Sequence, residues 1–195
     1  GCSPIKIDEY FYGRDGIVQD LATRAVERRE PSGLFGLRKT GKTSVLFAVE
    51  RRIYYSDVIC EYIDCQNPGV YGARWWSVAN EIMDRIHREC LRRGVDTTYE
   101  KVTSIENANE FTKYIKQILL GGIRNIVIML DEIEYITPDI SNTLGAHWDI
   151  DFVQFWQLMR SVYQETYGYF NFIVAGVNPP YSSRVEEMAG VAPFV

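Results

Sequence analysis

The sequence lacks the features that mark a membrane protein, a disulfide framework or a cysteine-rich metal site. No apolar run approaches the roughly 18–20 residues that span a bilayer, and no signal-peptide pattern opens the chain. Its four cysteines do not follow zinc-type spacing, and His87 and His147 stand alone. These absences predict a cytoplasmic protein with reduced cysteines and no metal site built from cysteine or histidine.

Positive charge is also scarce. The chain has 21 lysines and arginines against 26 aspartates and glutamates, and its net charge is −5 at pH 7. This balance argues against extensive nucleic-acid binding by these residues alone, although a longer protein can carry a basic domain elsewhere. Two groups of arginines, within residues 24–29 and 88–93, lie late in predicted helices. There they complement the helix dipole, and DNA contact is the less favoured interpretation.

Length and composition indicate one ordinary domain. Hydrophobic residues make up 46% of the 195 positions, which is enough for an apolar core. We expect residues 1–195 to form a single domain of a longer protein, because the chain starts at Gly1 rather than at methionine.

Hydrophobic periodicity predicts helices and strands in alternation. The predicted helices are residues 13–30, 42–54, 75–93, 108–120 and 151–166, and the predicted strands are residues 32–37, 58–65, 126–130 and 170–177. This alternation predicts an α/β fold, with a parallel sheet sandwiched by helices. Ligands of such sheets bind beyond the carboxyl ends of the strands.

The clearest motif is a phosphate loop at residues 36–43, which reads G-L-R-K-T-G-K-T. It matches G-x-x-x-x-G-K-[ST] without a mismatch, follows a predicted strand and opens a predicted helix. Gly36 and Gly41 let the backbone curl so that its N–H groups point at phosphate oxygens. Lys42 is expected to reach the β- and γ-phosphates, and the Thr43 hydroxyl is expected to bind Mg²⁺.

The remaining residues of the loop complete the predicted nucleotide site. The start of the helix, at Lys42, Thr43 and Ser44, adds a favourable dipole for an anion. The predicted nucleotide-binding set also includes the variable positions between the glycines, which are Leu37, Arg38, Lys39 and Thr40. For Arg38, Lys39 and Thr40 a surface role is favoured.

A second motif ends the buried run at residues 126–130, where Asp131 and Glu132 follow directly. Buried carboxylates are costly unless something compensates them, so this pair is expected at a strand end that faces a cation. Asp131 is predicted to hold Mg²⁺, and Glu132 to polarise the attacking water as general base. Glu134 is expected to face solvent. Taken alone, the run could equally start a turn.

The order of these motifs resembles the additional-strand, catalytic-glutamate division of P-loop proteins, because a strand at 58–65 lies between them. No Asn-Lys-x-Asp guanine signature is present, which favours ATP over GTP. After the fourth strand, Asn178 resembles the sensor residue that AAA-like ATPases place beside the γ-phosphate. An Asn-Pro-Pro sequence is also ordinary turn chemistry.

Near the start, Tyr12 and Arg14 belong to an aromatic-x-Gly-Arg box, which resembles the one that opens AAA-like and STAND (signal-transduction ATPases with numerous domains) modules. That resemblance implies a box lying against the adenine, a sheet in the order 5-1-4-3-2, and ATP-driven switching or remodelling. The chain departs from the family pattern because it ends before a clear fifth strand and before a helical lid. Arg184 is the best candidate for a trans-acting arginine finger, although an exposed arginine is the simpler interpretation.

The sequence therefore predicts the core of an Mg²⁺-dependent ATPase, with Lys42, Glu132 and Asn178 as catalytic residues and Thr43 and Asp131 as metal ligands. We expect it to control a larger signalling, defence or DNA-transaction protein, through a nucleotide-dependent homo-oligomer or a partner domain. Two alternatives remain open. One is a nucleotide-gated assembly module that hydrolyses little, and the other is a DNA loader of the origin-recognition or transposition type, with DNA contacted through other domains.

Overall fold

A computed structural model describes residues 14–138 and 147–177 and the backbone of residues 192–194. Five parallel strands form one sheet in the order β2-β3-β4-β1-β5. The strands are β1 (Ser32–Phe35), β2 (Val58–Asp64), β3 (Asn125–Asp131), β4 (Phe170–Gly176) and β5 (Ala192–Phe194). The predicted parallel sheet and its order 5-1-4-3-2 are confirmed.

The fifth strand corrects one expectation, since the sequence predicts that the chain ends before it. Ser32, Gly33 and Leu34 of β1 pair with Ala192, Pro193 and Phe194. A three-residue strand with a central proline gives almost no periodic signal. Proline lacks an N–H donor and is therefore confined to positions such as an edge strand, which is where β5 lies.

Six helices cover the sheet within the described ranges. They are α1 (Asp15–Thr23), which continues as a π-helical turn (Arg24–Arg28), α2 (Lys42–Arg52), α3 (Pro68–Tyr71), α4 (Trp75–Arg92), α5 (Asn109–Leu120) and α6 (Trp148–Glu165). Short 3₁₀ turns occupy Ile105–Asn107 and Ile133–Ile136. In the described part of the chain, none of these helices combines the length and apolar character needed to cross a membrane.

The two faces of the sheet bury separate apolar clusters. In β3, Ile126, Ile128 and Leu130 pack into the cluster beneath α4, α5 and α6, while Val127 and Met129 pack into the cluster beneath α1 and α2. Every residue of β3 is buried. An unbroken apolar strand is therefore covered on both faces, as its sequence predicts.

A buried carboxylate joins α6 to α4. Asp151 is fully buried and accepts hydrogen bonds from the Arg74 guanidinium at 2.7 and 2.8 Å and from the Trp75 N–H at 3.0 Å. The charge is thereby paired, and one of the N–H groups that the first turn of α4 leaves unbonded is satisfied. This contact holds the start of α4 against the start of α6, on the face of the sheet that these two helices cover.

The sheet register brings the motif-bearing strand ends together. Phe35, the last residue of β1, pairs with Gly176 of β4, and Leu130 of β3 pairs with Val174. β4 therefore lies between the strand that enters the phosphate loop and the strand that ends in Asp131. All three strands are parallel, so their carboxyl ends open on the same edge of the sheet.

Candidate nucleotide-binding site

The phosphate loop turns sharply between β1 and α2. Gly41 has φ of 82° and Lys39 has φ of 62°, both in the left-handed region that glycine adopts most easily. The Gly36 N–H donates to the Gly176 carbonyl at 3.3 Å, which holds the start of the loop against β4. α2 begins at Lys42, and Gly41 supplies no capping side chain. The first N–H groups of the helix are therefore available to an anion at the loop.

Lys42 lies inside this loop rather than in solvent. Its side chain is buried, and Nζ donates to the Gly36 carbonyl at 3.3 Å and to the Leu37 carbonyl at 3.1 Å. Both partners are backbone carbonyls of the phosphate loop, so the ammonium group is held at the position where the loop would bind a phosphate. By contrast, Arg38 and Lys39 are exposed, as the surface interpretation of the variable positions predicts.

Two further residues of the predicted set are described. The Thr40 hydroxyl donates to the Leu37 carbonyl at 2.8 Å and so braces the turn, while Ser44 is buried in the first turn of α2.

Arg14 approaches the loop from the start of α1. A Cβ atom built on Gly41 would lie 3.1 Å from Nη1 of Arg14, so the guanidinium packs directly over this glycine. The proximity places a second cation beside the phosphate loop. Tyr12, its partner in the predicted box, lies outside the described residues, as do Asn178 and Arg184.

Thr43 and Asp131 meet at the centre of the site. The Thr43 hydroxyl donates to Oδ2 of Asp131 at 2.6 Å, and the Tyr62 hydroxyl donates to the same oxygen at 3.0 Å. Oδ1 of Asp131 accepts the Glu132 N–H at 2.9 Å. The two predicted metal ligands are thus in direct contact.

Asp131 is a buried charge without a cationic partner among the described residues. Its exposed fraction is 1%, and burial raises the pKa of its carboxyl although the hydrogen bonds from Thr43 and Tyr62 oppose that rise. A hydroxyl and a carboxylate beside a phosphate loop are the oxygen ligands that Mg²⁺ takes, together with water and substrate phosphates. No group of three or more His, Cys, Asp or Glu side chains suited to a metal occurs in the described part of the chain. The Thr43 hydroxyl and the Asp131 carboxylate fit an Mg²⁺ ion whose remaining ligands would be water and the phosphates of a nucleotide.

Glu132 adopts a left-handed backbone, with φ of 52° and ψ of 46°, which turns the chain sharply after β3. Burial raises the pKa of its carboxyl to about 7, and the neighbouring Glu134 carboxyl adds to the rise, while Lys42 and Arg38 oppose it. A base with a pKa near the working pH combines a useful population of carboxylate with a useful proton affinity.

Glu134 is buried, so the expectation that it faces solvent is wrong. Only 2% of the residue is exposed, and Oε2 accepts the Val177 N–H at 3.2 Å. The turn at Glu132 is followed by the 3₁₀ turn at Ile133–Ile136, which folds this side chain beneath the end of β4. Gly176 makes the approach possible, because a Cβ there would lie 2.8 Å from Oε2 of Glu134. Oε1 has no hydrogen-bond partner among the described residues.

Known proteins resemble this chain in fold rather than in sequence. No protein-family model matches it, and no curated protein matches it. Among solved structures, the Aeropyrum pernix ORC2 protein in ADPNP–ADP complexes aligns with a TM-score of 0.65 and 14% identity, over 94% of this chain and 47% of that chain. The Aeropyrum pernix ORC1 protein in complex with DNA aligns with a TM-score of 0.58 and 18% identity, over 95% of this chain and 45% of that one. The chain spans about half the length of these proteins and shares their fold.

Proposed function

We propose that this chain binds an Mg²⁺–nucleoside triphosphate, ATP by preference, and hydrolyses it. The observation that carries the proposal is the Thr43–Asp131 hydrogen bond of 2.6 Å, at the mouth of a phosphate loop that holds a buried lysine. A structural neighbour solved with ADPNP and ADP supports a nucleotide as the ligand. The absence of a guanine signature from the sequence favours ATP.

Each group of the site has a role in this reaction. The loop N–H groups and Lys42 bind and orient the phosphates, and Arg14 adds positive charge beside them. Thr43 and Asp131 would hold Mg²⁺, which neutralises charge on the phosphates when bound. Glu132 in its carboxylate form accepts a proton from the attacking water, so hydrolysis should become faster as the pH rises through its pKa. Asn178, the second residue after β4 in the sequence, is proposed as the sensor of the γ-phosphate.

The nucleotide state is proposed to control a larger protein of the AAA-like or STAND kind. β3 and β4 end at the same edge of the sheet, so loss of the γ-phosphate is expected to change the contacts of both strand ends together. Through these ends the signal would reach a partner domain or a second copy.

DNA is not part of the proposal for this domain, although one structural neighbour is a complex with DNA. Arg92 and Arg93 both pair with Glu89, and Arg24 pairs with Asp20. Each of these arginines therefore has a carboxylate partner within the domain, and the net charge is −5. Any contact with DNA is expected to come from other parts of a longer protein.

Single-turnover hydrolysis measured beside equilibrium binding tests the proposal. Tight ATP binding followed by phosphate release, with weaker binding of GTP, is the expected result. Tight binding with negligible release would instead favour the assembly module. Failure of the folded protein to bind either nucleotide would overturn the assignment.

A further inference from the structure

The Asp131 carboxylate is held by three donors from three parts of the chain. Two of them, the hydroxyl of Thr43 and the backbone N–H of Glu132, belong to the motifs already described. The third donor is the Tyr62 hydroxyl, 3.0 Å from Oδ2. Tyr62 belongs to no motif in the sequence.

Tyr62 is placed by the strand next to β3. It lies on β2 in register with Met129, two positions before Asp64 pairs with Asp131. Its ring packs against Phe47 of α2, with 4.9 Å between the ring centroids. The side chain therefore connects the helix that follows the phosphate loop to the carboxylate at the end of β3.

The Tyr62 hydroxyl donates to Oδ2 of Asp131 and has no other hydrogen-bond partner among the described residues. Thr43 differs, because its oxygen is also expected to bind the metal. If Thr43 binds the metal as well as Asp131, the Tyr62 hydroxyl is the side-chain donor that interacts with Asp131 only.

We propose that Tyr62 is a positioning residue for the metal site, whose hydroxyl holds the Asp131 carboxylate in the orientation that faces Thr43. The inference rests on the proposed function, since it concerns how the same site acquires its metal. It predicts that Mg²⁺-dependent nucleotide binding depends on a phenol supplied by β2, outside both motifs. Groups that orient a metal ligand typically change metal affinity by roughly 10- to 100-fold when they are removed.

Tyr62→Phe tests the inference because it removes the hydroxyl and keeps the ring against Phe47. ATP binding is measured by calorimetry across a series of Mg²⁺ concentrations and again in EDTA. The Mg²⁺ concentration for half-maximal binding should rise by roughly 10-fold or more, while the metal-free affinity stays at the wild-type value. Tyr55→Phe is the matched control, because Tyr55 is exposed and its substitution should leave both values unchanged.

A second variant separates positioning from a general structural effect. If Tyr62 acts through Asp131, adding Tyr62→Phe to Asp131→Asn should cause no further loss of Mg²⁺ dependence. An equal loss in both backgrounds, or a loss that also appears in EDTA, would overturn the inference. Unchanged Mg²⁺ dependence in Tyr62→Phe would overturn it as well and leave the proposed function standing. A wild-type protein that binds ATP equally with and without Mg²⁺ would overturn the metal site itself, and this inference with it.

Discussion

The hydroxyl of Thr43 donates a 2.6 Å hydrogen bond to the Asp131 carboxylate, although 88 positions separate the two residues in the chain. Thr43 follows β1 and Asp131 ends β3, with β4 between these strands in the sheet. The contact therefore depends on strand order rather than on local sequence. It brings the phosphate loop and the acidic end of β3 together. Loss of this contact should weaken Mg²⁺ binding first.

Asp131→Ala should weaken Mg²⁺-dependent ATP binding by at least about 10-fold, because groups that merely orient a metal ligand already change metal affinity by that factor. Binding in EDTA should persist, since the phosphate loop is intact. Asp64→Ala is the matched control, because Asp64 also ends a strand and pairs in register with Asp131. Calorimetry with and without Mg²⁺ measures both variants. Equal Mg²⁺ dependence in wild type and Asp131→Ala would remove Asp131 from the metal site.

Glu132→Gln should retain ATP binding while single-turnover hydrolysis falls by about 10²–10⁴-fold, the range that general acid–base catalysis contributes. Glutamine keeps the size and polarity of the side chain but cannot accept the proton. Glu134→Gln is the comparison, because its amide oxygen can still accept the Val177 N–H, and hydrolysis should continue. If Glu132→Gln hydrolyses ATP at the wild-type rate, the base lies elsewhere and Glu134 is the next candidate.

The same Glu132→Gln variant should be more stable than the wild type at high pH. The pKa of Glu132 is about 7 in the fold against 4.5 for the free side chain. The folded state therefore holds its proton more strongly, and this contribution to stability is lost as the pH rises through about 7. Thermal melting of the ligand-free protein should show a higher Tm for Glu132→Gln above that pH and convergence of the two proteins below pH 4.5. A pH-independent difference in Tm would contradict the account.

Gly176→Ala should destabilise the fold by about 1–3 kcal/mol, the usual effect of overpacking. The new methyl group would lie 2.8 Å from both Oε2 of Glu134 and Cγ2 of Ile133, and neither neighbour is free to move into solvent. Gly16→Ala provides the control, because no atom lies within 4 Å of its added Cβ. In the first turn of α1 that substitution should be neutral or stabilising. Denaturant unfolding of the two variants measures the contrast, and equal stabilities would show that the close packing at Gly176 is not needed.

The sequence predicted the central part of the fold because its strands are long and apolar. β3 and β4 are buried along their whole length, and such runs identify a parallel sheet without knowledge of their neighbours. β5 escaped prediction because three residues carry no period and the pairing depends on β1 alone. α6 begins at Trp148, three residues before the predicted start at residue 151.

The candidate site was predicted only where a motif concentrates chemistry in a few consecutive positions. Residues 36–43 and the pair after β3 are of this kind. The sequence predicts a solvent-facing Glu134, because strand alternation does not reveal the left-handed turn at Glu132. Tyr62 carried one weak signal, since a tyrosine near the end of a strand can place its hydroxyl at the sheet edge. Which carboxylate it meets depends on the register of β2 with β3, and no single segment encodes that register.

The central claim is that residues 36–43 bind the phosphates of an Mg²⁺–nucleotide, and calorimetric titration of Mg²⁺–ATP into Lys42→Ala tests it most directly. Lys39→Ala is the matched control, because it removes a lysine from the same loop at an exposed position. Tight binding should be lost in Lys42→Ala and retained in Lys39→Ala, with unchanged circular dichroism in both proteins. Wild-type affinity in a folded Lys42→Ala protein would contradict the account.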